Sequence, residues 1–107
     1  MILKLVTYVE AKFAVRSGGH NPNAGFGSID QTGVLVDLQD LDKLTMQTGP
    51  DKVLTAGSGN RWNDVYEYSA QHSRGAVGGR DGDVGVAGFL LGGTSTFQLT
   101  ATLTDML

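Results

Sequence analysis

The distribution of glycine is the sequence feature that most limits how this chain can fold. Of its 16 glycines, eight lie between residues 75 and 93, where apolar residues are interleaved with them. Flexible Gly-Ser linkers lack such apolar partners, and a collagen repeat is excluded because the segment is short and contains no proline. Gly79, Gly82, Gly85 and Gly88 recur every three residues, which predicts a backbone that closely approaches a flat ligand or cofactor. A glycine-rich turn followed by a tightly packed helix is the alternative.

The order of the expected helices and strands indicates an α+β fold. A chain of 107 residues allows one domain with a modest core. Apolar periodicity predicts a helix within residues 1–9 and another at 86–91. Between them, a helix follows Asn60 as N-cap and carries an apolar stripe from Trp62 to Ala70. Apolar runs bounded by turn residues predict strands at 13–15, 34–38, 52–56 and 76–77. These elements do not follow a strict βαβ repeat, so α+β is the predicted class.

Composition and charge exclude several kinds of function. The net charge is −3 and Lys and Arg are not clustered, so no nucleic-acid surface is expected. The chain has no cysteine and only two histidines, which leaves no thiolate site and predicts no metal site. Residues 1–9 are apolar but too short to span a membrane. The absence of cysteine is compatible with both reducing and oxidising compartments.

The first segment that could carry chemistry is the loop from Arg16 to Asn21. Ser17-Gly18-Gly19 follows a predicted strand, and consecutive backbone N–H groups without bulky side chains can bind phosphate. His20 comes directly after them, and a neutral imidazole is a nucleophile. A surface loop with an incidental histidine is the alternative that these six residues alone leave open.

A second segment, from Gly57 to Trp62, resembles the start of a dinucleotide-binding motif. It follows a strand and opens a helix, as G-x-G-x-x-G does. Trp62 occupies the third glycine position, however, where close packing of helix and strand requires glycine. We therefore interpret the segment as a tight turn that leads to Trp62 as a core anchor.

Four segments together resemble one protein family. They are FAVRSGGHNPNAGFGSID at 13–30, VLVDLQDL at 34–41, VLTAGSGNRWNDVYEY at 53–68 and VGGRDGDVGVAGFLLGG at 77–93. Their order and spacing are similar to those of the FAD-binding domain of vanillyl-alcohol-oxidase-type (PCMH-type) flavoproteins, which include the berberine-bridge-enzyme-like FAD-linked oxidoreductases. The similarity extends over about residues 4–93, whereas the threonine-rich tail at 94–107 diverges from the family.

The resemblance implies FAD as cofactor and assigns roles to these residues. The loop from Arg16 to Asn21 would cradle the FAD pyrophosphate through backbone amides, His20 would bond covalently to the 8α-methyl carbon of the flavin, and the segment from Gly79 to Gly88 would pack along the flavin. The implied cofactor-binding residues are Arg16, Ser17, Gly18, Gly19, His20, Asn21, Gly79, Asp83, Val84, Gly85 and Gly88. Some members add a cysteinyl bond from the position of Asp81, so this chain can form only the histidyl link.

The resemblance also implies an FAD-dependent oxidoreductase. Its reaction would be transfer of a hydride from an alcohol, sugar or phenolic-type small-molecule substrate to flavin N5, with reoxidation by O2 in the oxidase members. We expect residues 1–107 to be a partial FAD-binding domain, incomplete at both ends, with the substrate domain and the catalytic base outside it. No catalytic residue is identifiable in the chain, which we expect to be inactive alone. The alternative is a truncated, non-catalytic nucleotide-binding fragment without turnover.

Overall fold

The computed structural model describes residues 2–49 and 53–93 as a mixture of short helices and strands. The elements are α1 (Ile2–Tyr8), β1 (Phe13–Arg16), β2 (Val34–Asp37), β3 (Leu44–Met46), β4 (Leu54–Ala56), α2 (Trp62–Gln71) and α3 (Val86–Leu91). This mixture agrees with the predicted α+β class. The tail at 94–107, which the sequence analysis separated from the rest, lies outside the described residues.

The strands form two small sheets. β1 pairs in parallel with β2, from Phe13 opposite Val34 to Arg16 opposite Asp37. β3 pairs antiparallel with β4, and β3 is a strand that the sequence analysis did not predict. Because the carboxyl ends of parallel strands lie at one edge of a sheet, Arg16 and Asp37 are neighbours. The loop that begins at Ser17 therefore leaves the sheet beside the end of β2.

The core is centred on the predicted anchor Trp62. Trp62, Val65 and Val86 are each at most 5% exposed and form one cluster. The indole ring of Trp62 stacks on Tyr66 at a centroid distance of 5.8 Å and meets the edge of Phe89 at 5.2 Å. The stripe at i, i+3 and i+4 along α2 thus faces α3, which confirms the role predicted for Trp62.

The turn before α2 differs from the prediction at Asn60. The N-cap position is held by Arg61, whose backbone N–H donates to the Asp64 carboxylate at 2.7 Å. Asn60 is buried, and its side-chain amide donates to the Gly57 carbonyl at 2.9 Å. The Asn60 carbonyl accepts the N–H of Val86 at 3.0 Å. The prediction of Asn60 as N-cap was wrong because its polar groups instead connect this turn to the start of α3.

The glycines that follow α2 allow the chain to pass closely over that helix. Added Cβ atoms at Gly78 and Gly79 would overlap the Trp62 ring, with 2.7 Å from the Gly79 position to indole Cδ1. A Cβ at Gly82 would overlap the Asn63 side chain. The predicted strand at 76–77 is absent, since these residues form no ladder within the described part of the chain. Packing against the indole ring takes the place of strand pairing.

The first helix leaves most of its apolar face in solvent. Val6 is 4% exposed, whereas Ile2, Leu5 and Val9 on the predicted face are each more than half exposed. The helix was predicted correctly, but only one residue of its stripe is covered by the described chain. Among residues 2–49 and 53–93, no helix has the length and hydrophobicity needed to cross a membrane.

Candidate functional site

Two clefts share the loop that follows β1. The polar cleft has a volume of about 520 Å³ and is lined by Arg16 to Gly19, Asp37, Gln39 and Arg61, among others. The aromatic cleft has a volume of about 370 Å³, and its lining includes the same four loop residues together with His20, Phe26 and Phe89. Volumes of this size are typical of small-molecule sites. The loop is therefore the common wall of two adjacent cavities, one polar and one mixed.

The loop is held in place by a direct backbone contact between Gly18 and Gly85. A Cβ added to Gly18 would overlap the backbone nitrogen of Gly85 and lie 2.6 Å from its Cα. A Cβ added to Gly85 would likewise lie 2.7 Å from the Gly18 Cα. Real Cβ atoms do not approach other atoms so closely, so both positions require glycine. This contact brings the loop from Arg16 to Asn21 against the segment from Gly79 to Gly88.

Gly19 and Ser17 fix the shape of the same loop. Gly19 has a φ of +68°, in the left-handed region that favours glycine. The Ser17 hydroxyl donates to the Ser58 carbonyl at 2.6 Å and so connects the loop to the turn before α2. Within the described residues, the backbone N–H groups of Gly18, Gly19 and His20 donate to no protein acceptor. Three consecutive donors of a fixed loop thus have no protein acceptor there, an arrangement suited to an anion.

Arg16 does not supply a free positive charge to this loop. Its Nε and Nη2 atoms donate to one carboxylate oxygen of Asp37 at 3.2 and 2.6 Å. These hydrogen bonds, together with one from the Gln39 backbone N–H, hold the pKa of Asp37 below its usual value. The ion pair connects the ends of β1 and β2 and neutralises Arg16 at neutral pH.

His20 faces a carboxylate from the glycine-rich segment. Its Nε2 lies 3.4 Å from Oδ2 of Asp81, and both side chains are about half exposed. The other oxygen of Asp81 accepts the backbone N–H of Asp83 at 3.0 Å, which fixes the carboxylate in a turn. The sequence analysis had noted Asp81 only as the position of a second attachment residue in similar proteins. The structure places it beside the imidazole.

Most of the residues predicted to bind the cofactor lie around one cleft. The aromatic cleft includes nine of the eleven, namely Arg16, Ser17, Gly18, Gly19, His20, Asn21, Val84, Gly85 and Gly88. Gly79 is buried against Trp62, and its carbonyl accepts the Tyr66 hydroxyl at 2.5 Å. The Asp83 carbonyl accepts the Arg61 guanidinium. A direct cofactor contact for Gly79 or Asp83 remains a prediction.

Among the residues around the clefts that the sequence analysis missed as site residues are Phe26, Phe89 and Arg61. Phe26 and Phe89 line the aromatic cleft, and Arg61 lines the polar cleft. Phe26 lies between two glycines of a turn-rich stretch, and Phe89 belongs to the apolar run of α3. Arg61 lies in the segment that had been interpreted as a structural turn alone. None of the three has a local sequence signal that separates a cleft residue from a packing residue.

The chain matches a known family over nearly its whole length. The family model for an FAD binding domain matches residues 1–106. The FAD-dependent monooxygenase macF of Penicillium terrestre is 44% identical over 102 residues, which are 92% of this chain and 20% of that protein. The bifunctional solanapyrone synthase of Alternaria solani is 44% identical over 96 residues, which are 90% of this chain and 18% of that protein.

These relatives are much longer than this chain. The FAD-dependent monooxygenase yanF of Aspergillus niger is also 44% identical, over 93 residues that are 87% of this chain and 16% of that protein. The chain therefore spans a fifth or less of the length of these three relatives. No solved structure matches it. Because the family match covers residues 1–106, the chain belongs to the FAD binding domain family, and its cofactor is FAD.

Proposed function

We propose that this chain is the part of an FAD-linked oxidoreductase that holds FAD at the wall between its two clefts. The observation that supports this most directly is the fixed loop whose Gly18, Gly19 and His20 N–H groups have no protein acceptor within the described residues. Those amides would bind the diphosphate. The fold would be of the vanillyl-alcohol-oxidase (PCMH) type, as the resemblance implies.

The aromatic cleft suits the flavin ring system. Phe26, Val84 and Phe89 supply apolar and aromatic surface, and His20 lies at the same cavity. Aromatic ligands gain from offset or edge-on contact with such rings. The Gly18–Gly85 contact leaves no side chain between the loop and α3. These features together fit a planar cofactor that must lie close to backbone.

The whole protein would carry out O2-dependent oxidation of a small molecule. Bound FAD supplies the hydride acceptor, while the protein supplies orientation and electrostatics. The substrate would be an alcohol, sugar or phenolic-type compound held by a substrate domain outside this chain. The names of the relatives, FAD-dependent monooxygenases among them, support O2 as the second substrate.

A nucleotide-binding role without turnover is the second candidate. Among the described residues that line the aromatic cleft, only Arg16 and His20 are titratable, so the lining itself contains no carboxylate that could act as the base. Reduction of bound flavin separates the two candidates. If the role is that of an oxidoreductase, an oxidisable alcohol or phenol is expected to bleach the visible flavin band under anaerobic conditions once the substrate domain is present. If the role is nucleotide binding without turnover, no such substrate is expected to bleach the band.

Covalent attachment at His20 is the first prediction from this proposal. Asp81 Oδ2 lies 3.4 Å from His20 Nε2, so this carboxylate would orient the imidazole, whose unprotonated ring nitrogen is the nucleophile. After FAD loading, flavin is expected to remain with acid-precipitated protein, and His20→Ala is expected to release it into the supernatant. Absorption of the two fractions provides the measurement. Flavin that acid already extracts from the parent chain excludes a covalent role for His20, while leaving noncovalent binding intact.

Gly88 allows the cleft to be tested separately from the fold. A Cβ added there meets no atom within 4 Å, and Gly88 lies within α3 at the aromatic cleft. Gly88→Ala is expected to stabilise the chain by about 0.5–1 kcal/mol through helix propensity. Gly88→Leu is expected to weaken FAD binding at least about tenfold, because its side chain would occupy cleft volume. Fluorescence titration with FAD and chemical denaturation measure the two effects. Unchanged FAD affinity in Gly88→Leu would place the flavin elsewhere.

A further inference from the structure

The side chains that line the polar cleft carry one more positive charge than negative charge. Its charged lining residues are Arg16, Asp37 and Arg61. Arg16 is paired with Asp37 at 2.6 Å. Among the described residues, no carboxylate oxygen lies within 4.0 Å of the Arg61 guanidinium nitrogens, and the nearby Asp64 carboxylate accepts the Arg61 backbone N–H instead. A cleft with a net positive charge, in a chain whose net charge is −3, is electrostatically suited to an anion.

The Arg61 guanidinium is held beside the loop amides. One of its N–H groups donates to the Asp83 carbonyl, and Arg61 pairs with Gly85 in an isolated antiparallel bridge. Its Nη1 atom lies 3.5 Å from the position that a Cβ on Gly18 would occupy. A guanidinium has five N–H donors. Within residues 2–49 and 53–93 that of Arg61 donates only to the Asp83 carbonyl, so most of these donors are available. The cation therefore adjoins the loop at Gly18.

We propose that Arg61 binds the FAD diphosphate from the polar cleft, together with the backbone N–H groups of Gly18, Gly19 and His20. This inference rests on the proposed function and adds to it the residue that supplies the charge. Arginine is suited to the role because its planar fork matches phosphate oxygens and remains protonated. Arg16 is the weaker choice because its charge is already neutralised by Asp37. The diphosphate would then lie between a fixed cation and three fixed dipoles.

The test compares FAD with riboflavin, which lacks the diphosphate. Affinities are measured in the His20→Ala background, so that no covalent bond forms. Arg61→Gln is expected to weaken FAD binding about tenfold or more and to reduce its dependence on salt concentration, while riboflavin affinity stays unchanged. Arg61→Lys keeps the charge and is expected to restore most of the FAD affinity. Lys43→Gln is the matched control, since it removes one positive charge from an exposed residue that lines neither cleft.

Each outcome separates this inference from the proposed function. FAD affinity that is unchanged in Arg61→Gln overturns the role of Arg61 and leaves FAD binding by the loop in place. Equal losses for FAD and riboflavin, or for Arg61→Gln and Lys43→Gln, would show a structural or general charge effect and would also overturn it. Inorganic pyrophosphate serves as a further probe and should compete with FAD in the parent but weakly in Arg61→Gln. A parent chain that binds neither FAD nor pyrophosphate overturns both proposals.

Discussion

Replacing Gly85 by alanine is expected to weaken FAD binding by roughly ten- to a hundredfold. A Cβ at position 85 would overlap the Gly18 backbone nitrogen and lie 2.7 Å from the Ser17 hydroxyl. The overlap with the Gly18 backbone cannot be relieved by rotating a side chain, so the loop and the start of α3 must separate. Overpacking of this kind costs about 1–3 kcal/mol, and about 1.4 kcal/mol corresponds to tenfold in affinity. Separation would displace the amides of the loop from both clefts.

The measurement is FAD titration of the full chain, with Gly18→Ala as the reciprocal variant. Because the two glycines contact one another, both variants are expected to lose affinity to a similar extent. Gly75→Ala is the control, since a Cβ at Gly75 meets nothing within 4 Å and its φ is not positive. FAD affinity in Gly85→Ala equal to that in Gly75→Ala would show that this backbone contact does not shape the cofactor site.

The positions of both glycine-rich segments could be predicted from the sequence, but the contact between them could not. Gly18-Gly19 after a strand is compatible with a phosphate loop, although the residues of the loop alone also left a plain surface loop open. The spacing of Gly79, Gly82 and Gly85 was interpreted as close approach to a ligand, with a glycine-rich turn before a tightly packed helix as the alternative. In the structure, however, the nearest groups at these positions are Trp62, Asn63 and Gly18. A glycine pattern shows that something approaches the backbone closely, and it does not show whether protein or cofactor does so.

Errors in the predicted elements occurred where long-range packing determines the backbone. β3 has three residues, and it exists through its antiparallel pairing with β4. So short an apolar–polar–apolar segment carries no periodic signal of its own. Asn60 has a side chain typical of an N-cap, yet its carbonyl accepts a hydrogen bond from Val86 in α3. By contrast, α3 was predicted with its observed bounds because a glycine directly precedes its apolar run.

The charge of the site also depends on tertiary structure. Arg16 was predicted as a cofactor residue from its place in the loop, but Asp37, opposite it in the parallel register, neutralises it. Arg61 had no predicted role, because its proximity to Gly18 follows from the bridge between Arg61 and Gly85. The position of the loop can thus be predicted from the local sequence, whereas the distribution of charge around the loop can be determined only from the tertiary structure.

Trp62→Ala is expected to destabilise the chain by about 3–5 kcal/mol, the range for removal of a large buried aromatic side chain. The indole is 5% exposed and contacts Tyr66 and Phe89. Gly78 and Gly79 also pack on its face, so the path of the chain toward Gly85 depends on it. Domains of this size are stable by only about 5–15 kcal/mol, and the variant is therefore expected to be largely or wholly unfolded in mild denaturant.

Chemical denaturation followed by far-ultraviolet circular dichroism measures this effect, because the variant lacks the only tryptophan of the chain. Trp62→Phe keeps an aromatic ring and is expected to lose less stability than Trp62→Ala. Tyr8→Ala is the control, since Tyr8 is 87% exposed and should change the free energy of unfolding by at most about 0.5 kcal/mol. A loss below about 1 kcal/mol in Trp62→Ala, far under the range for buried aromatic residues, would mean that the cluster around Trp62 is not the core of this domain. The glycines that pack on the indole would then need another explanation.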